Sequence, residues 1–272
     1  MMIFHPDDDF DLRLIAESGQ CFRWEPIGEA AYRIIHDGYR VEVSALGGGD
    51  FRLSCDEAEF RAVWYDYFDL GESYRAIRAR ISREEDPFLF RACGHGRGIR
   101  ILRQEPWEAL VSFIISQNKN IPAIRRSIGL LCDMAGEEKT DKSGSYRAFP
   151  TPEAILRLSD EDLAACRLGY RCRYVREAAR AAAEGTLCFS RLRSVSADAA
   201  IEALTARPGV GPKVASCAAL FGLHQLDAFP IDVWVRRILD EQYPVGYPME
   251  EYRPYNGVYQ QYMFNEYRNR GT

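Results

Sequence analysis

The stretch Ala206-Arg-Pro-Gly-Val-Gly-Pro-Lys213 joins two segments whose apolar residues recur with helical spacing. Gly209 and Gly211 permit tight backbone geometry, including positive φ angles. Pro212 suits the first position of the helix that follows. We therefore predict a helix-hairpin-helix whose free N–H groups, at the start of the second helix, can bind an anion such as a DNA phosphate. A plain corner between two helices is the alternative for this stretch alone.

Lys213 is one of four lysines in a chain with thirty-one arginines. An amine can lose its proton and act as a nucleophile, whereas a guanidinium stays charged. In the first turn of a helix, the helix dipole and partial burial both disfavour the ammonium form. These effects favour the neutral amine that a Schiff-base nucleophile requires. The alternative is that Lys213 is a phosphate-binding cation beside the hairpin.

Asp232 is a lone carboxylate within the apolar run Phe229-Pro-Ile-Asp-Val-Trp234, directly before another predicted helix. Aspartate is frequent at that position because its side chain caps the first N–H groups of the helix. A capping carboxylate near a nucleophile can also stabilise positive charge that develops on a sugar. The two roles are compatible, and the sequence leaves both open.

The chain before the hairpin divides into two kinds of pattern. Residues 20–54 alternate apolar and polar side chains between short Gly and Asp turns, which predicts an antiparallel meander. The spacing is then helical, with a short helix over 97–103, and 136–150 is the most loop-like stretch. We predict an α+β protein with a sheet domain over 1–100 and a mainly helical region over 101–272.

Composition excludes several classes of protein. Of 272 residues, 47% are hydrophobic and 28% charged, which excludes global disorder, and no apolar run is long enough to span a membrane. The acidic start lacks the apolar core of a signal peptide, so we expect a cytoplasmic protein, associated with the nucleoid if bacterial. Eight cysteines without a CxxC pair predict reduced thiols rather than a zinc ribbon. The net charge of −5 does not exclude nucleic acid, because a local patch can still bind phosphate.

Beyond the hairpin, several segments resemble one enzyme family and follow its order along the chain. The hairpin, Lys213 and Asp232 resemble the signature of the helix-hairpin-helix DNA glycosylases. Four further segments resemble the 8-oxoguanine DNA glycosylase/AP lyases of that superfamily, in a bacterial-type form. They are Gly19-Gln-Cys-Phe-Arg-Trp24, Phe113-Ile-Ile-Ser-Gln-Asn-Lys-Asn-Ile121, Leu168-Gly-Tyr-Arg-Cys-Arg-Tyr174 and Gly257-Val-Tyr-Gln-Gln-Tyr-Met-Phe264.

The resemblance implies an architecture and a reaction. An antiparallel sheet domain precedes two helical subdomains, with the lesion pocket between them, and the damaged base is flipped out of the duplex. Lys213 matches the lysine that attacks C1′ of the damaged nucleoside. The Schiff base that results permits β-elimination, so an AP lyase activity is implied. Asp232 matches the carboxylate that supports the charged sugar.

The resemblance also assigns contacts to the flipped base. Gly19 matches the backbone carbonyl that accepts the N7 hydrogen, which 8-oxoguanine has and guanine lacks. Guanine would instead present a lone pair to that carbonyl. Cys217 and Phe264 match the two faces that sandwich the base, and Gln260 matches the contact to its pairing edge.

Contacts to the remaining DNA are implied in the same way. Asn118 matches the residue that fills the gap in the duplex. Tyr170 matches the wedge beside the estranged base, and Arg171 its contact. Gly209 and Gly211 belong to the hairpin that binds the backbone. The expected partner is therefore double-stranded DNA that contains oxidised guanine, bound by a monomer and without a membrane.

The chain departs from the familiar eukaryotic pattern at two positions. Ala123 stands where those members carry the arginine that reads the opposite cytosine, which predicts a weaker cytosine preference. Trp234 stands where they carry a histidine, which puts one phosphate contact in doubt. No cysteine follows Cys217, so the four-cysteine iron–sulfur cluster of related glycosylases is not expected. We expect no cofactor and no metal, and we leave a monovalent cation at the hairpin open.

Two other functions compete with this one. A glycosylase for a different damaged purine would share the architecture. A non-catalytic helix-hairpin-helix module would bind DNA without chemistry. The second alternative needs neither Lys213 with Asp232 nor the motif that begins at Gly19, because phosphate binding requires none of them.

Overall fold

The computed structural model describes residues 1–268 and has the predicted α+β architecture. An antiparallel sheet with the strand order β1-β5-β4-β3-β2 forms the N-terminal part. A separate hairpin, β6–β7, lies within the helical part. The strands are β1 Met2–Phe4, β2 Trp24–Gly28, β3 Ala31–His36, β4 Tyr39–Gly47, β5 Asp50–Leu53, β6 Glu138–Asp141 and β7 Gly144–Arg147.

Helices account for most of the remaining chain. Two π-helical turns, Phe60–Trp64 and Ala218–Gly222, extend or join neighbouring helices. The α-helices are α1 Leu12–Glu17, α2 Glu57–Glu59, α3 Tyr65–Tyr67, α4 Tyr74–Arg78, α5 Pro87–His95, α6 Pro106–Ser116, α7 Ile121–Ala135, α8 Pro152–Leu156, α9 Asp160–Ala165, α10 Arg171–Ala183, α11 Phe189–Arg193, α12 Ala197–Thr205, α13 Pro212–Cys217, α14 Val233–Gln242 and α15 Asn256–Arg268.

The sheet buries one face against an aromatic helical layer. In the centre of the sheet, Ile34 on β3 lies opposite Val41 on β4, and both are fully buried. The alternation of strand side chains places such residues on one face. That face packs on Trp64, and Trp24 donates a 2.7 Å hydrogen bond from Nε1 to the hydroxyl of Tyr67. This core is distinct from the larger core of the helical part.

Helix α6 is the centre of the helical part. Its side chains are buried from Pro106 through Ile115 except at Glu108, because apolar residues surround the helix on all sides. A helix that is apolar all round belongs inside a protein. It packs against α7, α10, α13 and the second π-helical turn. The chain leaves α6 at Ser116, directly before the segment that carries Asn118.

Three details of the predicted elements are wrong. Residues 21–23 are not in a strand, because the chain bends at Phe22 and β2 begins only at Trp24. Residues 97–103 are not helical; the helix lies earlier, at α5, where Asp86 caps it and Pro87 starts it. The loop-like stretch 136–150 contains the β6–β7 hairpin, whose polar strands lack the apolar alternation that marks a strand.

Candidate active site

Lys213 lies in the first turn of α13, where the hairpin turns back into a helix. Gly211 occupies the N-cap with an extended backbone, and Pro212 starts the helix as predicted. The lysine is half-buried, and its Nζ lies 5.0 Å from the centre of the Phe113 ring. A cation over an aromatic face is held there by electrostatic attraction. Cys217, one turn further along α13, is buried.

The residues predicted to act on the lesion line one pocket. The lining comes from the N-terminal segment, α6, the helix after the hairpin, the start of α14 and the C-terminal helix. It consists of Ser18, Gly19, Phe113, Lys213, Cys217, Phe221, Pro230, Asp232, Gln260, Gln261 and Phe264. The six positions that the sequence proposed for chemistry and base contact are all among them. The cavity measures about 60 Å³, whereas small-molecule sites usually hold roughly 300 Å³ or more. A purine therefore enters only if the pocket widens.

Asp232 is the N-cap of α14, as the sequence predicted. One carboxylate oxygen accepts hydrogen bonds from the backbone N–H groups of Trp234, at 2.9 Å, and Val235, at 2.8 Å. These two bonds fix the carboxylate at the edge of the pocket that holds Lys213. The capping role is thus observed, and it orients the charge rather than competing with a second role.

The Gly19 backbone is held by its neighbour Gln20. Gly19 has a φ of +79°, a conformation that side chains rarely adopt. The buried amide of Gln20 donates to Ser18 Oγ at 2.8 Å and to the carbonyl of Arg100 at 2.9 Å, and accepts from the N–H of Leu102 at 2.8 Å. Within residues 1–268 no group donates to the Gly19 carbonyl, so this acceptor is unoccupied.

Two neighbouring glutamines on α15 complete the polar lining. Gln260 and Gln261 are both buried, and Gln261 Nε2 donates to Gln260 Oε1 at 2.9 Å. Among the described residues, Gln261 Oε1 is buried without a hydrogen-bond partner. A buried polar atom left unpaired costs stability and often marks a place where a ligand supplies the missing group.

Cys217 and Phe264 lie in the same pocket, as the sandwich predicted from the resemblance requires. Burial raises the pKa of the Cys217 thiol to about 11, although the nearby Lys213 lowers it. The thiol is therefore neutral at physiological pH and offers a polarizable apolar surface. Phe264 is half-buried at the mouth of the pocket.

The hairpin glycines occupy different conformations. Gly209 has a φ of +77°, and a Cβ at this position would overlap the ring of Tyr174. Gly211 has a φ of −82°, and a Cβ there would meet no atom within 4 Å. The carbonyl of Gly209 accepts a 3.0 Å hydrogen bond from Gln117 Nε2, which ties the hairpin to the segment after α6.

Asn118, Tyr170 and Arg171 form a second group beside the hairpin. Asn118 Nδ2 donates to the Tyr170 hydroxyl at 3.2 Å, and both residues are exposed. Arg171 is buried; its guanidinium lies 4.3 Å from the centre of the Tyr170 ring and donates to the carbonyls of Gln117 and Leu168. Arg171 supports this group from beneath, and its base-reading role stays a prediction.

Several pocket residues were not predicted from the sequence. Phe113 and Phe221 stack with ring centres 5.5 Å apart and form the apolar floor under Lys213. Both lie on apolar helical stripes, a pattern that predicts core and gives no sign of a pocket. Gln261, whose side-chain oxygen is unpaired, directly follows the predicted contact residue Gln260, and only the side-chain packing distinguishes the two glutamines.

Larger cavities lie elsewhere in the molecule. One of about 580 Å³ lies between the sheet and α7 and is lined by other residues, among them Trp24, Arg125 and Cys132. Within residues 1–268, no cluster of three or more His, Cys, Asp or Glu side chains is placed to hold a metal ion. The small pocket at Lys213 is therefore the site that concentrates the predicted chemistry.

Comparison with known proteins identifies the family. The family model described as the N-terminal domain of 8-oxoguanine DNA glycosylase matches residues 2–110. The model described as HhH-GPD superfamily base excision DNA repair protein matches residues 111–250, half of the chain. The chain belongs to the 8-oxoguanine DNA glycosylase family of the HhH-GPD superfamily.

Solved structures of family members resemble this HhH-GPD protein over their whole length. The 8-oxoguanine glycosylase/lyase of Clostridium acetobutylicum, solved with double-stranded DNA containing cytosine opposite 8-oxoG, is 33% identical over 100% of this chain and 99% of that one, with a TM-score of 0.89. MBOgg1 in complex with a low-affinity DNA ligand is 36% identical over 99% of this chain and 96% of that one, with a TM-score of 0.91.

A curated relative of similar length is also named as a glycosylase and lyase. The probable N-glycosylase/DNA lyase of Methanothermobacter thermautotrophicus is 29% identical over 98% of this chain and 96% of its own length. Among the described residues of this HhH-GPD protein, no helix is long and apolar enough to cross a membrane.

The two positions at which this chain departs from the eukaryotic pattern each lie in the first turn of a helix. Ala123 lies in the first turn of α7, where its N–H donates to the Asn120 cap at 2.9 Å. Trp234 is 43% exposed in the first turn of α14, with the Arg237 guanidinium 5.3 Å from its ring centre. Alanine has no hydrogen-bond donor with which to read a base, and Trp234 offers a neutral indole N–H where histidine could carry a charge.

Proposed function

We propose that this protein removes 8-oxoguanine from double-stranded DNA and then cleaves the strand at the abasic site. Lys213 is the nucleophile, and a Schiff base links the enzyme to the deoxyribose between the two steps. Family membership and the named activity of the Clostridium acetobutylicum relative support the substrate. We expect the enzyme in the cytoplasm, associated with the nucleoid if the source is bacterial.

The observation that carries the proposal is the composition of the pocket. An amine, a fixed carboxylate, an unoccupied backbone acceptor and an amide with an unpaired oxygen line one small cavity, at Lys213, Asp232, Gly19 and Gln261. Nucleophile and carboxylate lie at the starts of two different helices, so each is fixed by its own backbone. A phosphate-binding module has no use for an apolar pocket with these groups, because phosphates are bound at the surface.

The reaction follows from these groups. Nζ of Lys213 attacks C1′ of the flipped nucleoside through its lone pair, and the bond between C1′ and the base breaks with its electron pair on the base. The departing base takes one proton from the attacking nitrogen. Asp232 stabilises the positive charge that develops on the sugar. Opening of the sugar ring then gives the Schiff base, and loss of a C2′ proton expels the 3′ phosphate.

Selectivity is proposed to arise from the backbone at Gly19. Its carbonyl can accept the N7 hydrogen of 8-oxoguanine, whereas guanine would leave two lone pairs facing each other in a closed site. Cys217 and Phe264 would hold the faces of the base, and Gln260 its pairing edge. A site that hydrogen-bonds one hydrogen of its substrate rejects analogues lacking it strongly, because the buried acceptor is then unpaired.

Borohydride trapping tests the proposal. A duplex with one 8-oxoguanine is incubated with wild-type protein and with Lys213→Gln in the presence of borohydride. We expect a covalent protein–DNA band that requires both the lesion and Lys213. A duplex with undamaged guanine and a duplex with an alkylated purine are the matched controls.

Each alternative gives a different result. Trapping on the alkylated duplex alone would assign the pocket to another damaged purine. Specific binding of lesion duplex by both proteins without any band would indicate a binding module or a glycosylase without lyase activity. Either result would overturn the proposed reaction.

A further inference from the structure

Lys119, a lysine that the proposed reaction does not use, lies next to the exposed pair Asn118 and Tyr170. It follows α6 by three residues and is half-buried. Its Nζ donates to Ser127 Oγ and to the carbonyl of Arg167, both at 2.6 Å. Ser127 is 1% exposed on α7, so the ammonium points inwards to fixed acceptors. Bonds from a charged donor are stronger than those between neutral groups.

The carbonyl that Lys119 binds belongs to the loop that carries Tyr170. Arg167 has a φ of +58° and Gly169 a φ of +61°, so this loop contains two left-handed residues within three positions. On the other side, Asn118 itself has a φ of +50°. Such left-handed conformations cost energy in residues other than glycine and persist only where the surroundings fix them.

The two segments are held together at three points. Asn118 meets the Tyr170 hydroxyl, the carbonyl of Gln117 accepts from Arg171, and Lys119 reaches the carbonyl of Arg167. The first contact joins two exposed side chains and is the weakest of the three. The Lys119 contact also includes α7, through Ser127, and so connects three separate parts of the chain.

We infer that Lys119 is a positioning residue that holds Asn118 and the Tyr170 loop in one fixed arrangement for opening the base pair. The inference rests on the proposed function, because it assigns these exposed residues to DNA. A fixed wedge reduces the entropy lost when the duplex is opened, whereas a loose one must be ordered at that moment. The benefit is largest where the base must be pulled from an intact pair.

The competing role for Lys119 is a direct contact to a DNA phosphate. That role requires the ammonium to leave its two acceptors and face solvent. It also predicts a measurable change, because each lost phosphate contact lowers the slope of log Kd against log salt by about 0.9. A positioning residue leaves that slope unchanged.

The first test measures the free protein, without DNA. Hydrogen exchange of residues 167–171 is compared for wild type, Lys119→Met and Lys142→Met. Lys142 is an exposed lysine in the β6–β7 turn, so its variant removes the same charge elsewhere. We expect about tenfold faster exchange in Lys119→Met only, the change that corresponds to loss of one charge-assisted hydrogen bond. Unchanged exchange would overturn the inference, whatever the enzyme's activity.

The second test measures excision at single turnover. Each protein is tested on two duplexes. In one, 8-oxoguanine is paired with cytosine; in the other, it lies opposite an abasic site, so no base pair has to be opened. We expect Lys119→Met to lose about tenfold more activity on the paired lesion. Ser127→Ala, which removes one acceptor and keeps the charge, should lose part of the same activity, and the two changes should not add.

The outcomes separate the inference from the proposed function. Absence of excision by the wild type would count against the proposed function, and the exchange result would still decide the role of Lys119. Equal losses on both substrates would indicate a general structural defect and overturn the inference. A lowered salt slope in Lys119→Met, with Lys142→Met unchanged, would assign Lys119 to a phosphate contact.

Discussion

Asp232 combines a structural and a proposed chemical role in one carboxylate, and the two can be separated by substitution. Its oxygen caps α14 through two backbone hydrogen bonds. Asn and Asp cap helices about equally well, whereas Ala costs about 1 kcal/mol. Only the charge can stabilise a cationic sugar, so Asp232→Asn removes the chemistry and keeps the cap.

We expect Asp232→Asn to keep the wild-type free energy of unfolding within about 0.5 kcal/mol and to lower 8-oxoguanine excision roughly 100-fold. Asp232→Ala should lose the same activity and about 1 kcal/mol of stability. Urea unfolding and single-turnover excision measure the two effects. If excision falls only in Asp232→Ala, the less stable variant, then activity depends on the helix cap and not on the charge of Asp232.

Because Ala123 stands where the eukaryotic members carry an arginine that reads the opposite base, we predict that this protein lacks that contact. A good side-chain contact to a base is worth about 1–3 kcal/mol of discrimination. Arg171, the other candidate reader, donates to two backbone carbonyls instead. Excision rates of 8-oxoguanine opposite the four bases should therefore differ little, and Ala123→Arg should favour cytosine. A cytosine preference of equal strength in wild type and variant would contradict this prediction.

At the scale of one element, the hairpin requires glycine at one of its two positions. Gly209 has a positive φ and lies against Tyr174, whereas Gly211 is extended and unobstructed. We expect Gly209→Ala to lower the free energy of unfolding by about 2 kcal/mol, since a left-handed residue alone costs 1–2 kcal/mol. It should weaken binding of damaged and undamaged DNA alike.

Gly211→Ala is the matched control for the hairpin. It replaces a glycine N-cap and should cost less than about 1 kcal/mol. Thermal unfolding and DNA binding by fluorescence anisotropy compare the two variants. Similar losses of stability and DNA binding in both variants would contradict the prediction, because the structure has room for a side chain at Gly211.

The helices and strands differ in how well the sequence predicts them. Caps and prolines mark helix starts locally, so the helices at Pro106, Pro212 and Val233 could be predicted. The spacing of apolar residues predicts a helix over 97–103, yet the chain there is irregular, with Ile99 and Ile101 buried in the helical core and Leu102 in the sheet core. Strands made of polar residues, such as β6, lack the apolar alternation that predicts a strand. Only their pairing with a neighbouring strand identifies them.

The pocket likewise contains residues that the sequence predicts and residues that it does not predict. Lys213 and Asp232 were found because local chemistry sets them apart. The sequence does not reveal the floor residue Phe113 or the unpaired oxygen of Gln261, because each gains its role from pocket residues that lie far away along the chain. The arrangement of Gln20 around Gly19 likewise depends on backbone groups at Arg100 and Leu102.

At the scale of the whole molecule, one buried ion pair joins the N-terminal segment to the helical core. Arg23, four residues after Gly19, lies 3.4 Å from Glu108 on α6 and also donates to the carbonyl of Arg147. Both side chains are nearly buried, at 10% and 13% exposure. The pocket needs Gly19 from one part and Lys213 from the other, so this contact helps to keep the two parts in register.

Glu108 makes the stability of this junction depend on pH. Burial raises its pKa from 4.5 to about 7, although Arg23 lowers it. The folded state therefore binds more protons than the unfolded state between these values, and the free energy of unfolding falls as pH rises through that window. The full effect of one such group is roughly 3 kcal/mol, reached above pH 7.

Glu108→Gln replaces the carboxyl by a neutral group of the same shape and should abolish this dependence. We expect the variant to match the wild type near pH 4, below the pKa of the unfolded state, and to become more stable than it by roughly 3 kcal/mol at pH 8. Urea unfolding at both values measures the difference, and groups common to both proteins cancel. Glu29→Gln, in the exposed turn between β2 and β3, controls for the loss of a carboxylate. A Glu108→Gln variant that loses stability relative to wild type as pH rises would mean that the ion pair with Arg23 outweighs the cost of burying the charge.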